Sequence, residues 1–273
     1  MMNWPRTATK FTQARFLLIL LLLAGGCGYA EYEFRLNESK KYYSYLDRIE
    51  QSLSPKWAAA GNLMELRVPR QFILIQPPQP VQKEDGSVEA STIDPRQPDY
   101  LNLTFPELFG AWETKLRVTK TDGTSEERKG YLYALSNYWQ LAGDQASEAG
   151  QFVSNFKTYL SEKLQTPVSD ERSEIQPGGP PGYQPQSAYD VCSFKGKEID
   201  GVNYSFEVYA KTQGSVIGVL VIVLPEGMEM PQKVSERIPL MLGAFSFTKE
   251  PPRQGAEKNA TAPAQAAQKN TGF

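Results

Sequence analysis

The stretch DGVNYSFEVYAKTQGSVIGVLVIVL, residues 200–224, decides the fold. Asp200-Gly201 is a tight-hairpin dipeptide, because both central residues of a type I′ turn need positive φ and this pair tolerates it. After it Tyr204, Phe206, Val208 and Ala210 alternate with polar or differently facing residues, the period of a strand. Gln213-Gly214 turns the chain again. Val216 to Leu224 is then apolar at every position except Gly218. A strand that is greasy on both faces belongs in the middle of a sheet with both faces covered. Preceded by a strand over about Tyr189–Ile199, the stretch reads as a three-strand antiparallel meander.

Working backwards, residues 145–164 read as a helix. Ala149, Phe152, Val153, Phe156, Leu160 and Leu164 form its stripe, Asp144 is its N-cap candidate and Pro167 follows its end. Before it lies a hairpin. Trp112, Thr114, Leu116 and Val118 alternate with Glu113, Lys115 and Arg117, and beyond Asp122-Gly123 a return strand carries Tyr131, Tyr133 and Leu135 on one face. Earlier still, Tyr42, Tyr45, Leu46, Ile49 and Leu53 mark a helix over about Ser39–Leu53, stopped by Pro55. Met64, Leu66 and Val68 then begin a strand that Pro69 interrupts and Phe72–Ile75 resumes. Forwards of the meander, Pro231 opens a helix through Val234, Ile238, Met241, Leu242 and Phe245, with Pro239 as a kink because it cannot donate to Ser235. The order α-β-ββ-α-βββ-α predicts an α+β fold, a single antiparallel sheet of about six strands with flanking helices, in one domain over 39–248. Residues 76–100, 166–188 and 249–273 hold too little apolar surface to offset the entropy of ordering and are expected to be irregular insertions and a disordered tail.

The first thirty residues carry Arg6, Lys10 and Arg15 and no acid, then the apolar run Phe16–Leu23 and the small residues Ala24, Gly25 and Gly26 before Cys27. A charged start, a short apolar stretch and small residues before a cleavage point are the parts of an export signal. The run is shorter than the roughly 20 residues that cross a bilayer. Leu23-Ala24-Gly25-Gly26-Cys27 resembles a bacterial lipobox, which implies cleavage after residue 26, lipid attachment at Cys27 and a tether over 27–38. Gly28, where an Asp would imply retention at the inner membrane, leans the resemblance towards the outer membrane facing the periplasm. The alternative is cleavage after Ala30, which gives a soluble secreted or periplasmic protein. Buried acyl chains contribute about 0.8 kcal/mol per methylene, so two or three hold a protein on a membrane.

Loss of residues 1–26 removes three cations and no acid, taking the formal charge from −2 to −5. An acidic chain is a poor match for nucleic acid, whose binders neutralise phosphates with basic surface. The chain has no histidine. That excludes histidine-dependent nucleophile triads and imidazole zinc sites. Cys192, the one cysteine besides Cys27, has no intramolecular disulfide partner after lipidation and reads as a small hydrophobe. Asn37, Asn102, Asn203 and Asn259 each begin an Asn-x-Ser/Thr string.

Two chemical readings compete with pure binding. Ser154-Asn155-Phe156-Lys157 matches the S-x-x-K nucleophile string of penicillin-binding enzymes, but so does Ser246-Phe247-Thr248-Lys249, and the accompanying Lys-Thr-Gly is missing. Glu107 and Glu113 flank an aromatic stretch and could serve as a carboxylate pair for glycan cleavage. No phosphate loop or calcium loop is present, and no cofactor is expected.

The element order, with Leu66-Arg67-Val68-Pro69-Arg70-Gln71-Phe72 and the stretches 204–224 and 238–247, resembles the PsbP/DcrB-like proteins over roughly residues 60–248. The resemblance implies an exported or lipid-anchored accessory protein without shared catalytic residues. The resulting expectation is a lipid-anchored, non-catalytic protein of the bacterial cell envelope that binds an envelope protein partner, with Phe105, Phe109 and Trp112 as the binding surface. An envelope hydrolase and a carrier of an apolar small molecule are the alternatives.

Overall fold

The computed structural model of the protein describes residues 29–79, 81–82, 88–89, 93–101, 103–119, 123–143, 146–177, 186–228 and 234–252. They fall into two compact units that divide after Gln51. Up to that residue the first is helix α1, Tyr29–Ser52, in which Tyr45 and Ile49 are buried. It begins ten residues earlier than the tyrosine periodicity predicts, over ground assigned to a tether. Tyr42, read as part of the buried stripe, is 40% exposed.

The second unit is an α+β sandwich. Its strands are β1 (Trp57–Ala59), β2 (Met64–Leu66), β3 (Ile73–Leu74), β4 (Val81–Gln82), β5 (Val88–Glu89), β6 (Leu108–Thr119) and β7 (Ser125–Ser136). Helix α2 (Phe152–Leu164) and β8 (Asp170–Gln176) follow. The meander of β9 (Ser187–Ile199), β10 (Val202–Gln213) and β11 (Val216–Pro225), helix α3 (Val234–Gly243) and β12 (Ser246–Phe247) complete it. Seven strands form the main antiparallel sheet in the order β3-β6-β7-β11-β10-β9-β8, and β1-β2-β12 form a separate small sheet. The expectation of about six strands in a single sheet is corrected on two counts. The strand at Met64 joins the small sheet, and the segment 166–188 contains the ordered edge strand β8. The segment 76–100 is likewise not structureless, since β4 pairs with β5. Asp144 and Pro231, expected at helix starts, lie outside the described residues; α2 is entered through a 3₁₀ turn over Ala149–Gln151.

The apolar run occupies the middle of the sheet. β11 is the fourth of seven strands, and all ten of its residues are buried. It pairs with β10 through a two-residue turn that leaves Gln213 opposite Val216. The β9–β10 turn has Asp200 at φ 49° and Gly201 at φ 77°, the left-handed pair of a type I′ hairpin. Gly218 is a steric requirement. A methyl group there would come within 2.6 Å of the Phe247 ring and 2.8 Å of Phe245, so these rings close over the strand only because the position is bare.

The two faces of the sheet have different covers. On one, Phe152, Phe156, Leu160 and Leu164 of α2 pack with Leu135, Phe194, Phe206, Val208 and Val221. Cys192 is fully buried in this layer, and burial pushes its thiol up to about 11, out of the reactive range. On the other face Trp112 meets Trp57 edge to face at 4.9 Å. There Tyr189 Oη donates to the Leu242 carbonyl at 2.7 Å. Lys211 reaches into this layer and donates to Ser187 Oγ (2.8 Å) and the Phe245 carbonyl (2.9 Å), and burial lowers its pKa. Asn137 links the 3₁₀ turn that enters α2 to the β10–β11 turn and the start of β11. Its Nδ2 donates to the carbonyls of Ala149 (3.0 Å) and Ser215 (3.1 Å), and its Oδ1 accepts from Ile217 N (2.8 Å). Every strong hydrogen-bonding site of this buried amide but one lone pair is used.

Candidate functional site

The sheet ends on one side at β3, which is only two residues long and pairs Ile73 with Glu113 and Leu74 with Trp112. Residues 93–101 and 103–105 lie at this end, held by side chains acting on backbone. The Asp94 carboxylate accepts from Arg96 Nε (2.9 Å), Nη2 (2.7 Å) and backbone N (3.0 Å), and Arg96 Nη1 donates to the Phe109 carbonyl (3.2 Å). Burial alone would raise the Asp94 pKa, but the hydrogen bonds and charge of Arg96 outweigh it and the pKa falls. The Gln97 amide clamps the backbone of Phe105, accepting from its N at 2.7 Å and donating to its carbonyl at 3.2 Å.

This clamp sets Asp99 and Tyr100 against β7. The Tyr100 ring stacks on Tyr131 (centroids 4.4 Å apart, 18° between planes), and its hydroxyl lies 3.1 Å from that of Tyr133. Tyr131 and Tyr133 stand side by side because they are two apart on one strand; Phe105 meets Tyr133 edge to face at 4.8 Å. Between them and β3 lies a cleft of about 230 Å³. Its aliphatic wall is Ile73–Ile75 with Pro95, and its polar groups include Asp99, Glu113, Lys129 and the tyrosines 131 and 133. Lys129 Nζ sits 2.7 Å from Glu113 Oε2.

Burial, then electrostatic interaction with Asp99, Tyr204 and Glu113, pushes the Tyr131 phenol up to about 12. Burial raises Tyr133 further, with Asp99 and Glu113 again contributing, and Tyr100 rises by burial and its contact with Tyr133. All three phenols are therefore neutral hydrogen-bonding groups over the physiological range, unable to act as bases there.

The aromatic surface expected at Phe105, Phe109 and Trp112 is corrected. Phe105 is 1% exposed and Trp112 2%, so both are core, and Phe109 is half-buried. The alternation around Trp112 pointed inward, and the wall it packs on is Trp57. Glu113 does line a site, although Glu107 is not among the residues lining the cleft. The Ser154 hydroxyl donates to the Gln151 carbonyl at 2.8 Å on the exposed side of α2, and Lys157 forms an ion pair with Glu171. Neither is turned to the other. Cys27 lies outside the described residues. Among the described residues, no group of three Cys, Asp or Glu side chains could hold a metal ion, and no helix is long and apolar enough to cross a membrane.

No protein-family model matches the chain, and no curated protein does. Among solved structures the chain is similar to a crystal structure from Bacteroides thetaiotaomicron VPI-5482, with 9% identity and a TM-score of 0.31. The match covers 71% of this chain and 48% of that one, so the chain spans about half the length of that protein.

Proposed function

We propose that the protein is an exported accessory protein of the bacterial cell envelope, anchored by lipid on Cys27, that binds a partner in the cleft between β3 and β7 without transforming it. The observation that carries the binding reading is the cleft itself, a concave site with an aliphatic wall and convergent polar groups. The phenols in the cleft are neutral, and Glu113 is paired with Lys129. The anchored reading rests on Phe16–Leu23 followed by Ala24-Gly25-Gly26-Cys27, and the resemblance to PsbP/DcrB-like proteins supports an accessory role. The partner is an envelope component presented at the membrane surface.

Intact-mass analysis of the full-length protein purified from envelopes tests the anchor. The expected mature chain starts at Cys27 and carries a diacylglyceryl group, and Cys27→Ser releases the protein from the membrane fraction. A chain starting at Glu31 with no lipid overturns the anchor. Crosslinking in gently solubilised envelopes tests the binding role; a stoichiometric partner crosslinked through the β3 end supports it, and its absence with the lipid intact contradicts it.

A further inference from the structure

We propose that the cleft binds a primary ammonium group carried on a short aliphatic stem. This deepens the binding reading above and rests on it for the location of the site. The polar lining has an acid excess. Asp99 and Glu113 face one lysine, Lys129, whose ammonium is already against Glu113. An entering ammonium has three protons to donate, and the carboxylates of Asp99 and Glu113 and the Tyr131 hydroxyl oxygen are among the acceptors that line the cleft. Charge-assisted bonds of this kind are about twice as strong as neutral ones.

The remaining wall selects the stem. Ile73, Leu74, Ile75 and Pro95 offer hydrocarbon and no acceptor side chain. The cleft, at about 230 Å³, admits a short unbranched stem of this kind. The same geometry disfavours the obvious competitors. A sugar ring stacks on an open aromatic face, but the Tyr131 ring is already engaged by Tyr100 at 4.4 Å and flanked by Tyr133 at 6.2 Å. An anion would meet two carboxylates.

Isothermal titration of the full-length protein with 1-aminopentane, pentanoate and glucose tests the assignment. Saturable binding of the amine alone is expected. Asp99→Asn should weaken it at least about tenfold, the equivalent of one charged hydrogen bond, and Glu113→Gln should weaken it less. Lys129→Met keeps the aliphatic stem and frees Glu113, so it should tighten amine binding. Preference for pentanoate or glucose, amine binding indifferent to Asp99→Asn, weakening by Lys129→Met, or no binding of any probe would each overturn the proposal. Asp99 is exposed, and matching thermal unfolding of variants and parent separates a lost site from a lost fold. The titration reads the cleft whether or not Cys27 carries lipid, so its failure and failure of the anchor are distinguishable.

Discussion

The two ends of the main sheet solve the same problem differently. Each finishes in an edge strand with an exposed isoleucine, Ile73 at 69% on β3 and Ile175 at 58% on β8. At the β8 end seven residues pair with β9, and the acids they present are held in ion pairs within the strand and with α2. Arg172 bridges Asp170 and Glu174, and Glu171 takes Lys157. Alternating charge on an edge discourages another chain from adding to it. At the β3 end the edge strand stops after two residues, a folded-back segment takes its place, and the acids Asp99 and Glu113 outnumber Lys129 around a cleft. Acids taken up in ion pairs close a surface; an apolar wall beside the exposed carboxylate of Asp99 leaves the other end ready for a ligand.

That contrast is open to measurement, beginning with stability. The β3 end is built on Trp112, so Trp112→Ala should cost about 3–5 kcal/mol in chemical unfolding. Arg172→Ala, which breaks both pairs on exposed β8, should cost less than about 1 kcal/mol. Equal costs would erase the distinction. Between the ends, Asn137→Ala leaves the carbonyls of Ala149 and Ser215 and the Ile217 amide without their partner and should cost about 1–3 kcal/mol.

Alkaline pH loads the buried phenols, those of the cleft end among them. The folded phenol of Tyr131 titrates at about 12 against 10.0 for the ordinary group. A raised phenol pKa gives stability that is fully present below pH 10 and is lost as pH rises through the folded value, because the unfolded chain releases its proton first. Unfolding midpoints should therefore fall between pH 10 and about 12, and Tyr131→Phe should shallow that fall. An unchanged slope in the variant would place the alkaline sensitivity elsewhere. The smallest expected effect is Asp99→Asn on stability, within about 0.5 kcal/mol as for surface changes generally. A large destabilisation there would make Asp99 structural and weaken its assignment to ligand binding.

The middle of the sheet was legible because its residues leave little choice. The double-sided apolar run of β11 can only be central, and Asp200-Gly201 specifies its own turn. The periphery was not. β8 reads Asp-Glu-Arg-Ser-Glu-Ile-Gln, without the apolar alternation of a half-buried strand, and it forms because the β9 backbone pairs with it. The alternation of Trp112 correctly marked a buried face, but nothing local identifies Trp57, 55 positions earlier in the chain, as what covers it. The cleft was missed for a related reason. Tyr131 and Tyr133 were visible on a strand face, while Asp99 and Tyr100 sat in a proline-rich segment whose order comes from the Gln97 and Arg96 clamps. Long-range side-chain-to-backbone bonds leave no periodic signal.

The most direct test of where binding occurs uses the two isoleucines. A photo-crosslinking residue is placed at Ile73 or at Ile175 in the full-length protein, and adducts are collected from intact envelopes. The account predicts a discrete partner adduct from position 73, reduced by Asp99→Asn, and none from position 175. Adducts from position 175 alone, or equal adducts from both ends, would contradict it.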